Sequence, residues 1–274
     1  MKKFGFLLLA VLLIACGKQS AESVKLTILH TNDTHSRVLP DKTTKRGGYA
    51  RRMGLINKER ALDPDMILLD AGDFSQGTPY FNYFNGRVEI EAMNWMKYDA
   101  ATLGNHEFDN GLDTLAMILK MADFPIVCAN YDFTGTPLEG LTQPYVILER
   151  KGVKVGVFGL GCYPYSVIDD ENFVGVRYLG PSYDIPQQMA DTLRAQGCDV
   201  VICLSHLGWE TTEYTDNMLI QNTSGIDLVL GGHSHTYLKT LGYETDKTGK
   251  QVPVDHEGKH GVFVGKMLLT LDKK

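Results

Sequence analysis

The sequence has no excess of positive charge and little sulfur chemistry to offer. Against 27 lysines and arginines stand 33 aspartates and glutamates, a net charge of −6. A chain of that sign lacks the electrostatic footprint of a nucleic-acid binder, so no nucleic-acid partner is expected. Its five cysteines form no C-x-x-C pair and fit no zinc-ribbon spacing. Cys128 and Cys203 stand in apolar, strand-like runs, where a thiol serves as a small hydrophobe. A Cys198–Cys203 disulfide would have to close across one short strand and is not expected. Internal repeats and low-complexity tracts are missing too, and the 28 glycines and 10 prolines are spread rather than clustered. No linker composition divides the chain after its N-terminal segment.

Long apolar runs are equally scarce. Residues 4–15 form one of about a dozen residues, following Lys2-Lys3. It is too short for a spanning helix, which needs about 20 residues, and suits the core of a signal peptide. It ends in Leu13-Ile14-Ala15-Cys16-Gly17, which resembles the bacterial lipoprotein cleavage box. Cleavage there would leave Cys16 at the N-terminus, ready for a lipid. The expected division is a lipoprotein signal peptide over 1–15, a small polar tether over 16–23 and one catalytic domain over 24–274. The expected location is the cell envelope or periplasm, with the membrane contacted through lipidated Cys16.

What is present is alternation. Apolar strand patterns at 24–30, 66–70, 100–102, 124–129, 199–204 and 226–230 are separated by helical patterns at 49–60, 112–121, 183–196 and 211–221. A further helical region surrounds Val88, Ile90, Met93 and Trp95, and 145–149 with 153–158 read as a hairpin. The strands are apolar on both faces, which argues for an α/β fold with largely parallel central strands. Antiparallel strands are expected in the tail over 252–271.

The ends of these strands repeat one chemistry. The first runs into Asp33-x-His35, the second into Gly72-Asp73 and the third into Gly104-Asn105-His106-Glu107-Phe108-Asp109. Later strands run into His206 and into Gly232-His233-Ser234-His235. Five of the eight histidines fall at these places. If the strands are parallel neighbours, all of these groups meet at one edge, where α/β sheets bind ligands. Imidazole, carboxylate and amide oxygen suit zinc, manganese or similar divalent ions, and the lack of thiolates argues against a closed structural zinc site. A carboxylate between two imidazole-rich groups can bridge two ions about 3.5–4 Å apart.

These five motifs resemble those of the calcineurin-like metallophosphoesterases. The wording Leu29-His30-Thr31-Asn32-Asp33-x-His35 and Gly104-Asn105-His106-Glu107-Phe108-Asp109 is similar to the branch of 5′-nucleotidases, UDP-sugar hydrolases and 2′,3′-cyclic phosphodiesterases. The resemblance implies a β-sandwich of two mixed sheets flanked by helices, with the active site at the carboxyl ends of the central strands. It implies two divalent metal ions, one held by Asp33, His35 and His235, the other by Asn105, His206 and His233, with Asp73 bridging. His106 would be catalytic, donating a proton to the leaving oxygen with Asp109 orienting it; Asn105 and His106 would meet the substrate phosphate. Some members carry Gln where this chain has His235. Glu107 reads as a structural hydrogen-bond partner, His30 as packing behind the site, and His256 and His260 as part of a solvated charged turn.

The function implied is hydrolysis of nucleotides or related phosphate esters by metal-activated water. A 2′,3′-cyclic nucleotide phosphodiesterase or 3′-nucleotidase is the alternative within enzymes. A non-catalytic phosphate- or nucleotide-binding lipoprotein is the alternative outside them, and the His106–Asp109 pair argues against it. Members of the branch usually carry a C-terminal domain that grips the nucleobase; here a separate C-terminal nucleotidase-domain protein is expected to supply it. Tyr163, Tyr165 and Tyr178 are expected to pack rather than to line a substrate pocket.

Overall fold

A computed structural model describes residues 23–209 and 214–272. The signal peptide and Cys16 lie outside the described residues, as does most of the tether. The elements in order are β1 (Ser23–Thr31), α1 (Tyr49–Leu62), β2 (Ile67–Asp70), α2 (Pro79–Phe84), α3 (Arg87–Met96), β3 (Ala100–Ala101) and α4 (Gly111–Leu119). They continue with β4 (Tyr131–Asp132), β5 (Tyr145–Arg150), β6 (Val153–Leu160), β7 (Arg177–Tyr178), α5 (Asp184–Ala195), β8 (Val200–Ser205) and α6 (Asp216–Asn222). The last four are β9 (Leu228–Gly231), β10 (Gly242–Thr245), β11 (Gln251–Asp255) and β12 (Gly265–Asp272).

Two mixed sheets result, with strand orders β12-β1-β2-β3 and β10-β11-β9-β8-β6-β5. In the first, β1, β2 and β3 are parallel and β12 closes the edge antiparallel to β1. In the second, β6, β8, β9 and β11 are parallel, with β5 and β10 antiparallel at the two edges.

Period-two alternation decides what each strand buries. Leu26 and Ile28 of β1, Ile67 and Leu69 of β2, Ile202 and Leu204 of β8, and Leu228 and Leu230 of β9 face one another in a core between the sheets. Their neighbours point the other way. Leu29 and Leu68 pack under residues of α1, α3 and α4, while Val201, Cys203 and Val229 pack under α5 and α6. Each fully buried aliphatic side chain contributes about 1.5–3 kcal/mol of transfer free energy. That double burial is why the central strands read as continuous apolar runs.

Three expectations about elements change. Residues 124–129 form only isolated bridges, Ala101 to Ile126 and Val127 to Gln143, because this stretch passes between elements instead of running beside one strand. The helix expected at 211–221 is α6, beginning at Asp216; residues 210–213 lie outside the described residues. The tail is not wholly antiparallel, since β11 pairs parallel with β9. The segment 161–180 holds two short 3-10 turns and β7, which pairs with β4. Cys128, Cys162, Cys198 and Cys203 are free and buried.

Candidate metal centre

The loops after β1, β2, β3, β8 and β9 leave the same end of the sandwich, so both sheets supply the site rather than the edge of one. Backbone hydrogen bonds lace these loops together. Asp33 N–H donates to Gly72 O at 2.9 Å, His35 N–H to Asp73 O at 3.0 Å and Ser36 N–H to Phe74 O at 3.0 Å. Gly232 N–H donates to Ser205 O at 2.9 Å, tying the β9 end to the β8 end.

Within this frame the side chains converge in two groups. Asp33, His35, Asp73 and His235 place their ligand atoms within 4.8 Å of one another, and so do Asp73, His206 and His233. Asp73 belongs to both. His35 Nε2 lies 3.9 Å from Asp33 Oδ1 and 3.9 Å from Asp73 Oδ2, and His235 Nε2 lies 3.5 Å from Asp33 Oδ1. Asn105 joins the second group through its Oδ1, 2.9 Å from His233 Nδ1. All seven residues singled out in the sequence as metal-binding are thus in one place.

The backbone is strained where these groups are presented. Asp33, His35, Asp73, His233 and His235 all have left-handed φ, from 45° to 72°. Such conformations cost about 1–3 kcal/mol each for residues with a side chain, and persist only where the surroundings enforce them. Gly104 is required by close approach: a Cβ there would sit 2.2 Å from Asp73 Oδ1 and 2.6 Å from His206 Nε2. Glu107 fastens the floor from below. Its carboxylate accepts N–H groups from Gly104 at 2.6 Å, Asp73 at 2.9 Å and Ser75 at 3.0 Å, so it positions the Asp73 turn and faces away from the ligand role.

The electrostatics ask for cations. Among the described residues no lysine or arginine pairs with Asp33 or Asp73; their partners are histidines. Burial pushes Asp33 up to about 7. Burial also works to raise Asp73, but the imidazoles of His206, His35 and His106 outweigh it and hold this carboxyl below the usual range. Burial opposes the charge on His206, yet Asp73 and Asp33 raise it to about 10. His35 and His233 are lowered to about 3 and about 4, chiefly by burial.

The donor set fits divalent ions. His206 Nδ1 lies 2.7 Å from Ala71 O, which fixes Nδ1 as a donor, so that a cation displacing the Nε2 proton would find a lone pair there. That Nε2 is buried and lies 3.1 Å from Asp73 Oδ2, within ion-pair distance of the shared carboxylate. His35 Nε2 and His235 Nε2 face each other at 2.9 Å. Lone pairs and carboxylates aimed inward at these separations are what two divalent cations would satisfy.

At the rim the character changes. His106 N–H donates to Asp73 Oδ1 at 2.9 Å, which ties the rim to the floor. Its ring Nδ1 lies 2.9 Å from Asp109 Oδ2, with the two side chains 30% and 32% exposed. Burial lowers His106, but the Asp109 hydrogen bond and the charge of Asp73 prevail and raise it. The His106 ring lies 5.4 Å from that of His35.

Sequence reasoning missed part of the support. His256 was expected in a solvated turn; it is fully buried, with Nε2 2.7 Å from Asp216 Oδ2. Asp216 in turn accepts from Ser205, the residue before His206. The partner of His256 lies 40 residues away in the chain, which no local pattern reveals. His260 is half-buried, donates its N–H to Asp33 O at 2.6 Å and places its ring 5.9 Å from that of His35. Asn32 was within the motif and overlooked: its Nδ2 donates to Asp33 Oδ2 at 2.6 Å. Tyr163, Tyr165 and Tyr178 pack edge to face on one another with centroids 5.4–6.3 Å apart.

Comparison with known proteins agrees with this geometry. The calcineurin-like phosphoesterase pattern matches residues 26–237. Snake venom 5′-nucleotidase of Naja atra is 35% identical over 92% of this chain and 51% of its own length. The 5′-nucleotidase precursor from Thermus thermophilus superposes with a TM-score of 0.81 at 33% identity, over 91% of this chain and 52% of that one. The calcineurin-like phosphoesterase YfkN from Bacillus subtilis superposes with a TM-score of 0.78 at 32% identity, over 92% of this chain and 87% of that one. The chain spans about half the length of the curated relatives it matches. With the family pattern over most of its length and the donor groups gathered at the strand ends, the chain belongs to the calcineurin-like phosphoesterase family.

Proposed function

We propose that this protein hydrolyses nucleoside monophosphates or closely related phosphate esters, as a 5′-nucleotidase-like enzyme using two divalent ions. The observation that carries the reading is the pair of donor groups sharing Asp73, set beside a histidine that is free to exchange a proton. Asp33, His35 and His235 would hold one ion, Asn105, His206 and His233 the other, with Asp73 between them. Bound there, the ions would draw charge from a phosphoryl oxygen and make water a nucleophile at neutral pH.

The chain's own residues supply the rest. Water adds to phosphorus in line with the ester bond that breaks, so no covalent enzyme intermediate is required. Asn105 and His106 stand where the phosphate would be gripped. Asp109 holds the Nδ1 proton of His106, which leaves Nε2 to give its proton to the departing oxygen. A binding protein would need the floor but not this pair.

The apolar run over 4–15 before Cys16 supports export with lipid anchoring at Cys16, which would place the protein in the cell envelope. Membrane fractionation should find the full-length protein with the envelope and Cys16→Ala released from it; an unchanged distribution argues against the anchor.

The test of the activity compares AMP, 3′-AMP and 2′,3′-cyclic AMP with metal-loaded protein. Fastest phosphate release from AMP, lost in Asp73→Asn and in His106→Ala, is the expected result. Preference for the cyclic ester would move the protein to the phosphodiesterase reading. Equal turnover by wild type and both variants would sink the assignment.

A further inference from the structure

β1 and β11 bring a second set of donors together outside the site described above. His30 on β1 and Asp255 at the end of β11 are buried, and His30 Nε2 lies 3.1 Å from Asp255 Oδ2. Glu257 adds a carboxylate oxygen, and the three ligand atoms lie within 4.8 Å of one another. The His30 Nδ1 is buried with no hydrogen-bond partner, so the carboxylate group is what engages this ring.

Among the described residues neither Asp255 nor Glu257 pairs with a lysine or arginine, and the ion pair of Asp255 is with His30. Two lysines line the same cavity: Lys266 is engaged by Glu59 at 2.6 Å, and Lys239 forms no ion pair with either carboxylate. Burial and the nearby Asp255 push Glu257 up to about 8, the mark of like charges without compensation. The cluster is also reachable. A cavity of about 480 Å³ is lined by Asp255 and Glu257 together with Tyr237, Phe263 and Lys266. Gly265 makes the space for the imidazole, since a Cβ there would lie 1.9 Å from His30 Nε2.

We propose that His30, Asp255 and Glu257 form a third divalent-cation site, separate from the seven-residue centre and open to solvent through this cavity. One imidazole and two carboxylates suit manganese or zinc, and three protein donors leave positions for water. The site is connected to the main centre through Asn32, whose Oδ1 accepts the Glu257 N–H at 2.9 Å and whose Nδ2 donates to Asp33.

The experiment measures bound zinc per chain after dialysis of the full-length protein against buffered Zn²⁺, for wild type, Glu257→Gln and Asp255→Asn. Glutamine keeps the size of Glu257 and the backbone N–H bond to Asn32, so this variant retains the fold even where Asp255→Asn does not. The expected result is one equivalent fewer in Glu257→Gln than in wild type. Equal zinc content in the two proteins overturns the proposal. Because the readout is a difference between variants, it is independent of the phosphoesterase reading: failure of that reading lowers both counts and leaves the difference in place.

Discussion

The floor of the site and its rim are built to opposite specifications. On the floor, Asp33 and His206 have side chains with no exposure, the loops are cross-linked by backbone hydrogen bonds, and five residues are held in left-handed conformations. At the rim, His106 and Asp109 are about a third exposed and are joined side chain to side chain by one hydrogen bond. If the floor holds two like-charged ions as proposed, it needs donors that cannot relax away, and strain and burial are tolerated there. A group that must pass a proton to a departing substrate needs access to that substrate, so it stays at the surface. On the proposed reading the floor prepares charge, and the rim moves a proton.

This contrast can be broken at either part. The largest effect is expected from stripping the floor: dialysis against a chelator should reduce phosphate release from AMP to background, and zinc or manganese should restore it. Activity that survives chelation would remove the floor from the chemistry. Next comes Asp73→Asn, which takes the shared carboxylate from both groups; a fall in kcat of about 10³-fold is expected, with less metal bound per chain. His106→Ala should lower kcat by about 10²-fold or more while metal content, measured on the same sample, stays at the wild-type level. Loss of metal in that variant would mean that floor and rim are one unit.

A smaller effect, about 10-fold, is expected for Asp109→Asn, and it has a pH signature. Asp109 helps raise His106, so its neutralisation lowers the His106 pKa. The protonated imidazole is the form that donates, and that form is lost as pH rises through its pKa. The alkaline limb of kcat/KM should therefore move to lower pH in the variant; an unmoved limb would deny His106 the donor role. The smallest effect on turnover is expected for Ile202→Ala, in the core between the sheets. It should cost about 2–5 kcal/mol of stability, read as a lower Tm, with kcat per folded molecule unchanged.

Much of the fold could be read from the chain because its strands are buried on both faces and its helices are amphipathic. β1, β8 and β9 stand out as apolar runs, and α5 shows apolar residues at helical spacing. The stretch 124–129 has the same composition as those strands but finds only single bridges, because composition does not say whether a neighbour lies alongside. The solitary His206 and the Asp33-x-His35 pair were legible for another reason: each follows directly on a strand, so the strand fixes its place. His256 had no such anchor. Its burial depends on Asp216 from a distant helix, and in the sequence it is one of several polar residues in a charged run.

The sequence by itself determined which atoms are available at each strand end, since donor type and order along the chain are covalent facts. It also determined the alternation that makes those ends point one way, because parallel strands joined by helices carry their carboxyl ends on the same side. Only the tertiary structure decided that two sheets, not one, supply the centre. It also made Asp73 common to both donor groups, aimed the Glu107 carboxylate at three backbone N–H groups instead of a ligand, and brought His30 to Asp255 across 225 residues. Distances between segments so far apart are set by packing of the core between them, and no local pattern carries that information.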